Sequence, residues 1–174
     1  NSVFPVVRMK NNLQICRFSH LKSFTARVFL TVALQIISQQ MFGQLFDDFS
    51  DGDFTSSPEW SGLDSKFVVV SQELKLQALP VNDFAYLAIP SKAINHASWE
   101  FFVSLEFNPS STNFARVYLV SDQSNLHDPV NGYFVQLGNT TDDVSLYKQS
   151  GDRYTKIIDG VDKRLDLPTI TIRI

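Results

Sequence analysis

The stretch Phe46–Trp60 (FDDFSDGDFTSSPEW) concentrates acidic side chains of the type that bind metal ions. Asp47, Asp48, Asp51 and Asp53 fall within seven consecutive positions. Carboxylate oxygens are the hard ligands that Ca²⁺ takes in proteins, so these four residues are candidate calcium ligands. Their spacing differs from the D-x-[DN]-x-[DN]-G pattern of an EF-hand loop, so the motif adds no further support for a calcium site.

A structural interpretation of the same stretch stays open. Residues Leu45–Phe49 would form the first strand of a domain, and Ser50–Asp53 contains residues that are common in turns. Phe54 and Trp60 would then pack back onto the domain. In that case the aspartates belong to a turn rather than to a metal site.

A second candidate site consists of aromatic and polar side chains that alternate along four predicted strands. The less apolar face of these strands carries four aromatic residues, with an arginine and a glutamine among the polar residues between them: Phe102, Tyr118, Phe134, Tyr147, Arg116 and Gln136. Aromatic rings stack on the C–H faces of sugars, while polar groups bind the hydroxyls. If the four strands are neighbours in one sheet, the sequence predicts a carbohydrate-binding stripe. Otherwise the aromatics, which are enriched in strands anyway, form a secondary core.

The elements that would position these residues are strands with one buried face. Apolar and polar residues alternate with a period of two, which indicates half-buried strands. The clearest segments are Trp99–Phe107, Ala115–Asp122, Gly132–Gly138 and Thr169–Ile174, and weaker ones are Lys66–Val70, Leu74–Ala78, Ala85–Ile89, Val144–Gln149 and Tyr154–Ile158. Asn, Asp and Gly residues that favour turns separate several of them. This pattern predicts an all-β fold, an antiparallel two-sheet sandwich or jelly roll.

Residues 1–44 have a different character and are predicted to be a secretory signal with a few upstream residues. They contain five Lys or Arg residues and no Asp or Glu. The apolar run Val28–Ile37 follows this basic stretch and is too short to span a bilayer, which takes about 20 residues. This order is typical of a signal-peptide helix, here cleaved between Gln40 and Leu45, although an amphipathic surface helix is the alternative. The mature protein is therefore expected to be secreted or held at the cell surface, with no membrane span.

The body of the chain, residues 45–174, is acidic and lacks cysteine. It holds ten basic and all 18 acidic residues, a net charge of −8. Nucleic acid binding needs clustered Lys and Arg, so this composition argues against a nucleic acid partner. The single cysteine, Cys16, lies in the predicted signal. Disulfides, cysteine zinc sites and cysteine nucleophiles are therefore excluded from the mature domain.

Several sequence segments within residues 45–174 resemble a known module. They are DDFSDGDFTSSPEWSG, WEFFVSLEFNPSSTNFARVYLVSDQSNL, NGYFVQLG and DDVSLYKQSG. Together they look like the N-terminal module of secreted Bacteroidetes surface proteins, in which lamin-tail domains and a C-terminal sorting domain often follow. The resemblance covers residues 45–174 and implies a concanavalin A-like or laminin-G-type jelly roll, a fold in which calcium sites are common. It brings no characterised activity with it.

The end of the chain adds an expectation about completeness. Ile174 lies within the last alternating segment, which predicts that this strand's partner lies further on. The resemblance likewise implies that the closing strands and further domains follow Ile174. Residues 45–174 are therefore expected to be an incomplete jelly-roll domain.

The function that these observations favour is a non-catalytic module that binds extracellular glycans or surface proteins. A structural spacer is one alternative, and a glycoside hydrolase-like jelly roll is the other, since some folds of this type are glucanases. Those enzymes carry an E-x-D-x-x-E pattern that this chain lacks. Glu100 and Glu106 share one strand face, but six residues at about 3.3 Å each separate them by about 20 Å. A glycosidase pair needs a separation of roughly 5–9.5 Å.

Overall fold

The computed structural model describes residues 45–77, 79, 81–91, 97–165 and 169–173. The predicted signal segment, residues 1–44, lies outside these ranges, so its helical form and its cleavage site stay predictions. Within the described ranges, no helix is long and apolar enough to cross a membrane.

The described residues form strands joined by turns and loops. A short 3-10 helix, Asp64–Lys66, accompanies ten strands: β1 (Ser61–Gly62), β2 (Phe67–Val70), β3 (Glu73–Leu76), β4 (Leu87–Ala88), β5 (Glu100–Ser104), β6 (Ala115–Ser121), β7 (Val130–Leu137), β8 (Val144–Gly151), β9 (Arg153–Ile158) and β10 (Thr169–Arg173). The strand pairs found among them are all antiparallel. The predicted all-β class is therefore confirmed, and each of the nine segments identified by alternation overlaps a strand.

The largest sheet contains four strands in chain order, β6-β7-β8-β9. β8 and β9 close at the pair Ser150 and Arg153, which leaves Gly151 and Asp152 as a two-residue loop. Gly151 has a φ of 59°, and tight hairpin loops need such positive values, which glycine adopts without steric cost. Register shifts interrupt the ladders within β6 and near the start of β8.

β10 pairs with β5, and the two strands form a separate sheet. The ladder runs from Thr169 opposite Ser104 to Arg173 opposite Glu100. One edge of β10 therefore has its partner within the described chain, while the expectation that closing strands follow Ile174 stays a prediction. A strand from far earlier in the chain supplies the backbone hydrogen bonds, which local alternation cannot reveal because it carries no information about long-range pairing.

The main hydrophobic core joins β5 to one face of the four-stranded sheet. Phe101 and Val103 of β5 are buried in one cluster with Val135 and Leu137 of β7. Partly buried residues of β6 and β8 pack around this cluster. Alternate residues of each strand therefore face the core, as the period of two predicts. Each large apolar side chain buried in this way contributes about 1.5–3 kcal/mol relative to an exposed one.

A smaller cluster in the N-terminal part of the described chain contains Phe49, Phe54 and Leu74, with Trp60 at its margin. Phe54 and Trp60 therefore pack in this small cluster with residues of β2, β3 and β4, and not in the main core. The predicted first strand over Leu45–Phe49 is wrong, since these residues adopt no regular structure. Phe49 has a φ of 55°, and its N–H bonds to a side chain rather than to a neighbouring strand, so the segment cannot extend a ladder.

Candidate functional site

Asp47 is a buried carboxylate whose two oxygens both accept hydrogen bonds from the protein. Oδ1 accepts from the backbone N–H of Phe49 at 2.8 Å, and Oδ2 accepts from the indole Nε1 of Trp60 at 2.8 Å. Burial raises the pKa of Asp47, while these two hydrogen bonds lower it in part. The side chain therefore ties the start of the described chain to the small cluster around Phe49.

Asp53 is the most heavily bonded of the four candidate calcium ligands. Its Oδ1 accepts from the backbone N–H groups of Phe54 at 2.7 Å and Thr55 at 2.8 Å, and from the Thr55 hydroxyl at 2.8 Å. Its Oδ2 accepts a hydrogen bond from the Ser56 hydroxyl. The bond from Ser56, followed by those from Thr55, holds the pKa of Asp53 far below its usual range. These bonds are the pattern of a carboxylate that shapes its own turn.

The remaining two aspartates also serve the local backbone. Asp48 accepts from the N–H of Ser50 at 3.1 Å, and Asp51 accepts from the N–H of Asp53 at 3.0 Å. In the part of the chain that the structure describes, no three His, Cys, Asp or Glu side chains are grouped so that they could hold a metal ion. The structure therefore does not assemble Asp47, Asp48, Asp51 and Asp53 into a calcium site, and the turn interpretation accounts for their contacts.

Three of the predicted aromatic residues lie side by side on the face of the four-stranded sheet that points away from the main core. The register places Tyr118 of β6 opposite Phe134 of β7, and Phe134 opposite Tyr147 of β8. The ring centroids are 5.0 Å apart in the first pair. In the second pair they are 5.3 Å apart, with an angle of 7° between the ring planes. The stripe therefore extends across these three strands.

Phe134 lies beneath its neighbours and is fully buried. Tyr154 of β9 meets the Phe134 ring nearly at a right angle, with centroids 5.8 Å apart, and Tyr154 itself is 49% exposed. Phe134 therefore supports this surface and does not offer its own ring to a ligand. We call this surface the aromatic face and define it by the side chains that form it: Arg116, Tyr118, Phe134, Gln136, Tyr147, Gln149 and Tyr154.

Phe102 does not belong to the aromatic face. β5 pairs with β10, which places Phe102 opposite Thr171, whereas the four-stranded sheet is built from β6 to β9. The hypothesis that all four predicted aromatics share one sheet is therefore wrong for Phe102. Alternation assigns side chains to the two faces of one strand, but it does not determine which strands are neighbours.

Arg116 and Gln136 form a polar row beside the rings. They are cross-strand partners, and Nε of Arg116 donates to Oε1 of Gln136 at 3.1 Å. Gln136 is largely buried and donates in turn to the carbonyl of Gly138 at 3.1 Å, which fixes the orientation of its amide. The guanidinium carbon of Arg116 lies 4.6 Å from the ring centroid of Phe134 and 4.7 Å from that of Tyr154, within the range of a cation–π contact.

Gln149 closes the other side of the aromatic face. The Tyr118 hydroxyl donates to Oε1 of Gln149 at 2.6 Å, and Nε2 of Gln149 donates to the carbonyl of Gly151 at 2.9 Å. Burial raises the pKa of Tyr118, although the charge of Arg116 acts in the opposite direction. The hydroxyl therefore stays protonated at neutral pH and remains a donor.

Tyr154 and Gln149 are members of the aromatic face that sequence reasoning missed. A usable signal existed in the hairpin of β8 and β9. Because its loop has two residues, Gly151 and Asp152, counting outward from the loop pairs Gln149 with Tyr154. Gln149 shares the alternating face of Tyr147, so the same count places Tyr154 on that face.

Comparisons with known proteins add no assignment. The chain matches no family model, no curated protein and no solved structure.

A charged cluster at the end of β9 is engaged in structural contacts. Asp143 is 1% exposed and accepts from Nδ2 of Asn139 at 2.7 Å. Nζ of Lys156 lies 2.5 Å from Oδ1 of Asp159 and 3.5 Å from Oδ2 of Asp143. The hydrogen bond with Asp159 raises the pKa of Lys156, so the amine stays protonated and is unsuited to act as a general base.

The aromatic face presents groups that bind rather than react. The side chains that define it are aromatic rings, two amides and one guanidinium, and the carboxylates beside it, Asp143 and Asp159, pair with Lys156, whose Nζ lies 5.8 Å from the Tyr147 ring centroid. Glycoside hydrolysis of the usual kind needs two carboxylates on either side of the scissile bond. Stacking and hydrogen bonding are therefore the chemistry that this surface can supply.

Proposed function

We propose that this chain is a non-catalytic module of a secreted or cell-surface bacterial protein, and that it binds extracellular glycans through the aromatic face. The observation that supports the proposal is the exposed ring of Tyr154, held beside polar groups whose orientation is fixed. Tyr154 is 49% exposed while its edge partner Phe134 is fully buried. A supported, exposed ring next to oriented donors and acceptors suits a sugar, which offers C–H patches and hydroxyls together.

The proposal includes the finer features of the fold. We assign the domain to an antiparallel two-sheet sandwich of the concanavalin A-like or laminin-G-type jelly-roll class. The cluster that joins Phe101 and Val103 of β5 to Val135 and Leu137 of β7 supports this assignment, because it packs one sheet's residues against the other's. Export through residues 1–44 and a position at the cell surface belong to the same proposal.

A structural spacer is the second candidate function. It is favoured by the burial of Phe134 and by the contacts that Tyr118 and Tyr147 make with it. In this alternative the rings form a secondary core and bind no ligand. A surface protein as ligand, rather than a glycan, is a further form of the binding function.

A matched pair of tyrosine variants separates these possibilities. Tyr154 and Tyr133 are both exposed, at 49% and 40%, but their side chains alternate onto opposite faces of the sheet. Retention on a panel of immobilised extracellular polysaccharides is expected for the unaltered chain. Tyr154→Ala should weaken it roughly two- to tenfold, since aromatic contacts contribute about 0.5–1.5 kcal/mol and about 1.4 kcal/mol is a factor of ten. Tyr133→Ala should leave it unchanged.

Two outcomes would contradict the glycan proposal. A folded chain that no polysaccharide retains would favour the spacer. Retention that survives Tyr154→Ala would move the site away from the aromatic face. Folding of each variant is checked by its melting temperature, which an exposed tyrosine should change little.

A further inference from the structure

Arg116 carries a charge that the neighbouring carboxylates do not neutralise. The four ion pairs formed among the described residues use Lys66, Lys75 and Lys156 as their cations, and Arg116 takes part in none of them. This holds although the body of the chain has an excess of acidic residues. Half-buried charges are costly unless acceptors or counter-ions compensate them, so an arginine left in this state is unusual.

Aromatic rings surround the guanidinium instead. Its carbon lies 4.6 Å from the ring centroid of Phe134, 4.7 Å from that of Tyr154 and 4.9 Å from that of Phe114. Ring faces stabilise a cation but leave its formal charge in place. The rings also hold the planar group in one orientation, so the side chain loses less conformational entropy when a ligand binds.

The hydrogen bonds of Arg116 do not use all the N–H donors of its guanidinium group. A guanidinium has five N–H donors, and Nε is bound to Gln136 at 3.1 Å. The Tyr118 hydroxyl oxygen takes a further donor of the group. The terminal nitrogens carry four donors, so three remain, and a pair of oxygens on one anionic group can take two of them in a bidentate arrangement.

We propose that Arg116 binds the anionic group of an acidic sugar residue, either a uronate carboxylate or a sulfate ester, while the exposed ring of Tyr154 stacks on the same sugar. The inference rests on the proposed glycan-binding function and specifies its ligand class. Both anions present adjacent oxygens to the guanidinium fork. The Arg116 guanidinium carbon lies 4.7 Å from the Tyr154 ring centroid and covers one face of that ring, so the sugar would stack on the other face and direct its anionic group past the ring edge toward Arg116.

The net negative charge of residues 45–174 opposes the binding of an acidic polysaccharide. Residues 45–174 carry a net charge of −8, so long-range electrostatics repels a polyanion. Tight binding of an acidic polysaccharide would therefore have to come from a local site and not from general attraction.

The test compares charged polymers with neutral ones that have the same sugar backbone. Polygalacturonate and its fully methyl-esterified form share one backbone, and dextran sulfate and dextran form the equivalent pair for sulfate. We expect the chain to bind at least one charged polymer about tenfold or more tightly than its neutral counterpart in a titration calorimeter. Binding of polygalacturonate alone assigns the site to carboxylates, and binding of dextran sulfate alone assigns it to sulfate esters.

Three variants then locate the charge selectivity. Arg116→Met removes the charge but keeps an unbranched stem over Phe134, and it should abolish the preference for the charged polymer. Arg116→Lys keeps the charge without the planar fork and should give an intermediate loss, which remains informative if the methionine variant fails to fold. Arg153→Gln is the control, because it removes the same charge from an exposed residue of β9 that faces Ser150, and it should bind as the unaltered chain does.

The possible failures are distinguishable. Equal binding of charged and neutral polymers, or a charge preference that survives both Arg116 variants, overturns the acidic-sugar inference while the proposed glycan function stands. Failure to bind any of the four polymers overturns the acidic-sugar inference as well, whereas the wider polysaccharide panel then decides the proposed function separately.

Discussion

The indole N–H of Trp60 donates to the carboxylate of Asp47 at 2.8 Å, across thirteen residues of chain. The second oxygen of the same carboxylate holds the N–H of Phe49, whose backbone has a φ of 55°. One buried acidic side chain therefore stabilises a left-handed backbone conformation and anchors an aromatic residue of the small cluster. The residue type suggested a calcium ligand, but the hydrogen bonds of Asp47 link two segments of the fold.

Removing this carboxylate should cost more stability than removing a neighbouring one. Asp47→Ala leaves the Trp60 indole and the Phe49 N–H without their acceptor, and the free energy of unfolding should fall by about 1–3 kcal/mol. Asp51→Ala is the control, because its hydrogen bond lies at the exposed surface and water can replace it. Urea denaturation measures both. Equal losses in the two variants would contradict the role assigned to Asp47.

Calcium should leave the melting temperature unchanged. Ligands that bind the folded state raise it by mass action, but the carboxylates of Asp47 and Asp53 already accept hydrogen bonds from the protein on both oxygens. A thermal scan with and without millimolar Ca²⁺, with Mg²⁺ as the control cation, tests this. A rise specific to Ca²⁺ would restore the metal-binding interpretation of the acidic stretch.

Acid should destabilise the domain in a way that depends on Asp53. Its hydrogen bonds hold the pKa of Asp53 below the unfolded value of about 3.9, so the stabilisation is complete above that value. It is lost as the pH falls below about 4 toward the folded pKa. The pKa of the buried Asp47 is raised, and its protonation therefore acts in the opposite direction. Asp53→Asn should flatten the decline of the melting temperature below pH 4, whereas exposed Asp152→Asn should preserve it.

Phe134 should behave as a core residue although it lies on the face opposite the main core. Phe134→Ala is expected to lower the free energy of unfolding by about 3–5 kcal/mol, as for other fully buried phenylalanines. Tyr118→Ala combined with Tyr147→Ala should also destabilise, because both rings pack on Phe134. The loss for exposed Tyr154→Ala should stay below about 1 kcal/mol. A stable Phe134→Ala variant would show that the aromatic face contributes little to the fold.

Two glycines with similar backbone angles should respond differently to alanine. Gly52 has a φ of 81° and Gly138 a φ of 93°, so both substitutions strain the backbone by about 1–2 kcal/mol. A Cβ at Gly52 meets no atom within 4 Å, whereas a Cβ at Gly138 collides with the ring of Pro109. Gly138→Ala should therefore lower the unfolding free energy by an additional 1–3 kcal/mol or so, measured by urea denaturation. Similar losses at both positions would argue against close packing of Gly138 on Pro109.

The sequence contained enough information for the strands and for part of the candidate site. Alternation identifies β6, β7 and β8 and assigns Tyr118, Phe134 and Tyr147 to one side, because strand geometry fixes side-chain direction at every residue. The chain order β6-β7-β8-β9 then follows from short connections, which usually join neighbouring strands. The position of these three residues on one face could therefore be predicted from strand geometry and short connections.

What escaped prediction depends on contacts between distant residues. Phe102 leaves the stripe because β5 pairs with β10, and Leu45–Phe49 fails to form a strand because Asp47 takes a backbone N–H. Burial of Phe134 beneath Arg116 and Tyr154 arises from long side chains that fold over the sheet from two different strands. Of these relationships, only the position of Tyr154 on this face could have been inferred from sequence, by counting outward from the loop of β8 and β9.

The strict alternation of β7 has a consequence for how this domain can evolve. Val135 and Leu137 are buried in the main core, while Phe134 and Gln136, their immediate neighbours in sequence, support the aromatic face. A single-residue insertion or deletion would exchange the two sets, so selection should preserve the length of β7 strictly. Arg116 and Tyr154 lie on other strands and outside the main core, so their substitution leaves that core intact. The proposed binding site can therefore change at these two positions while the main core stays the same.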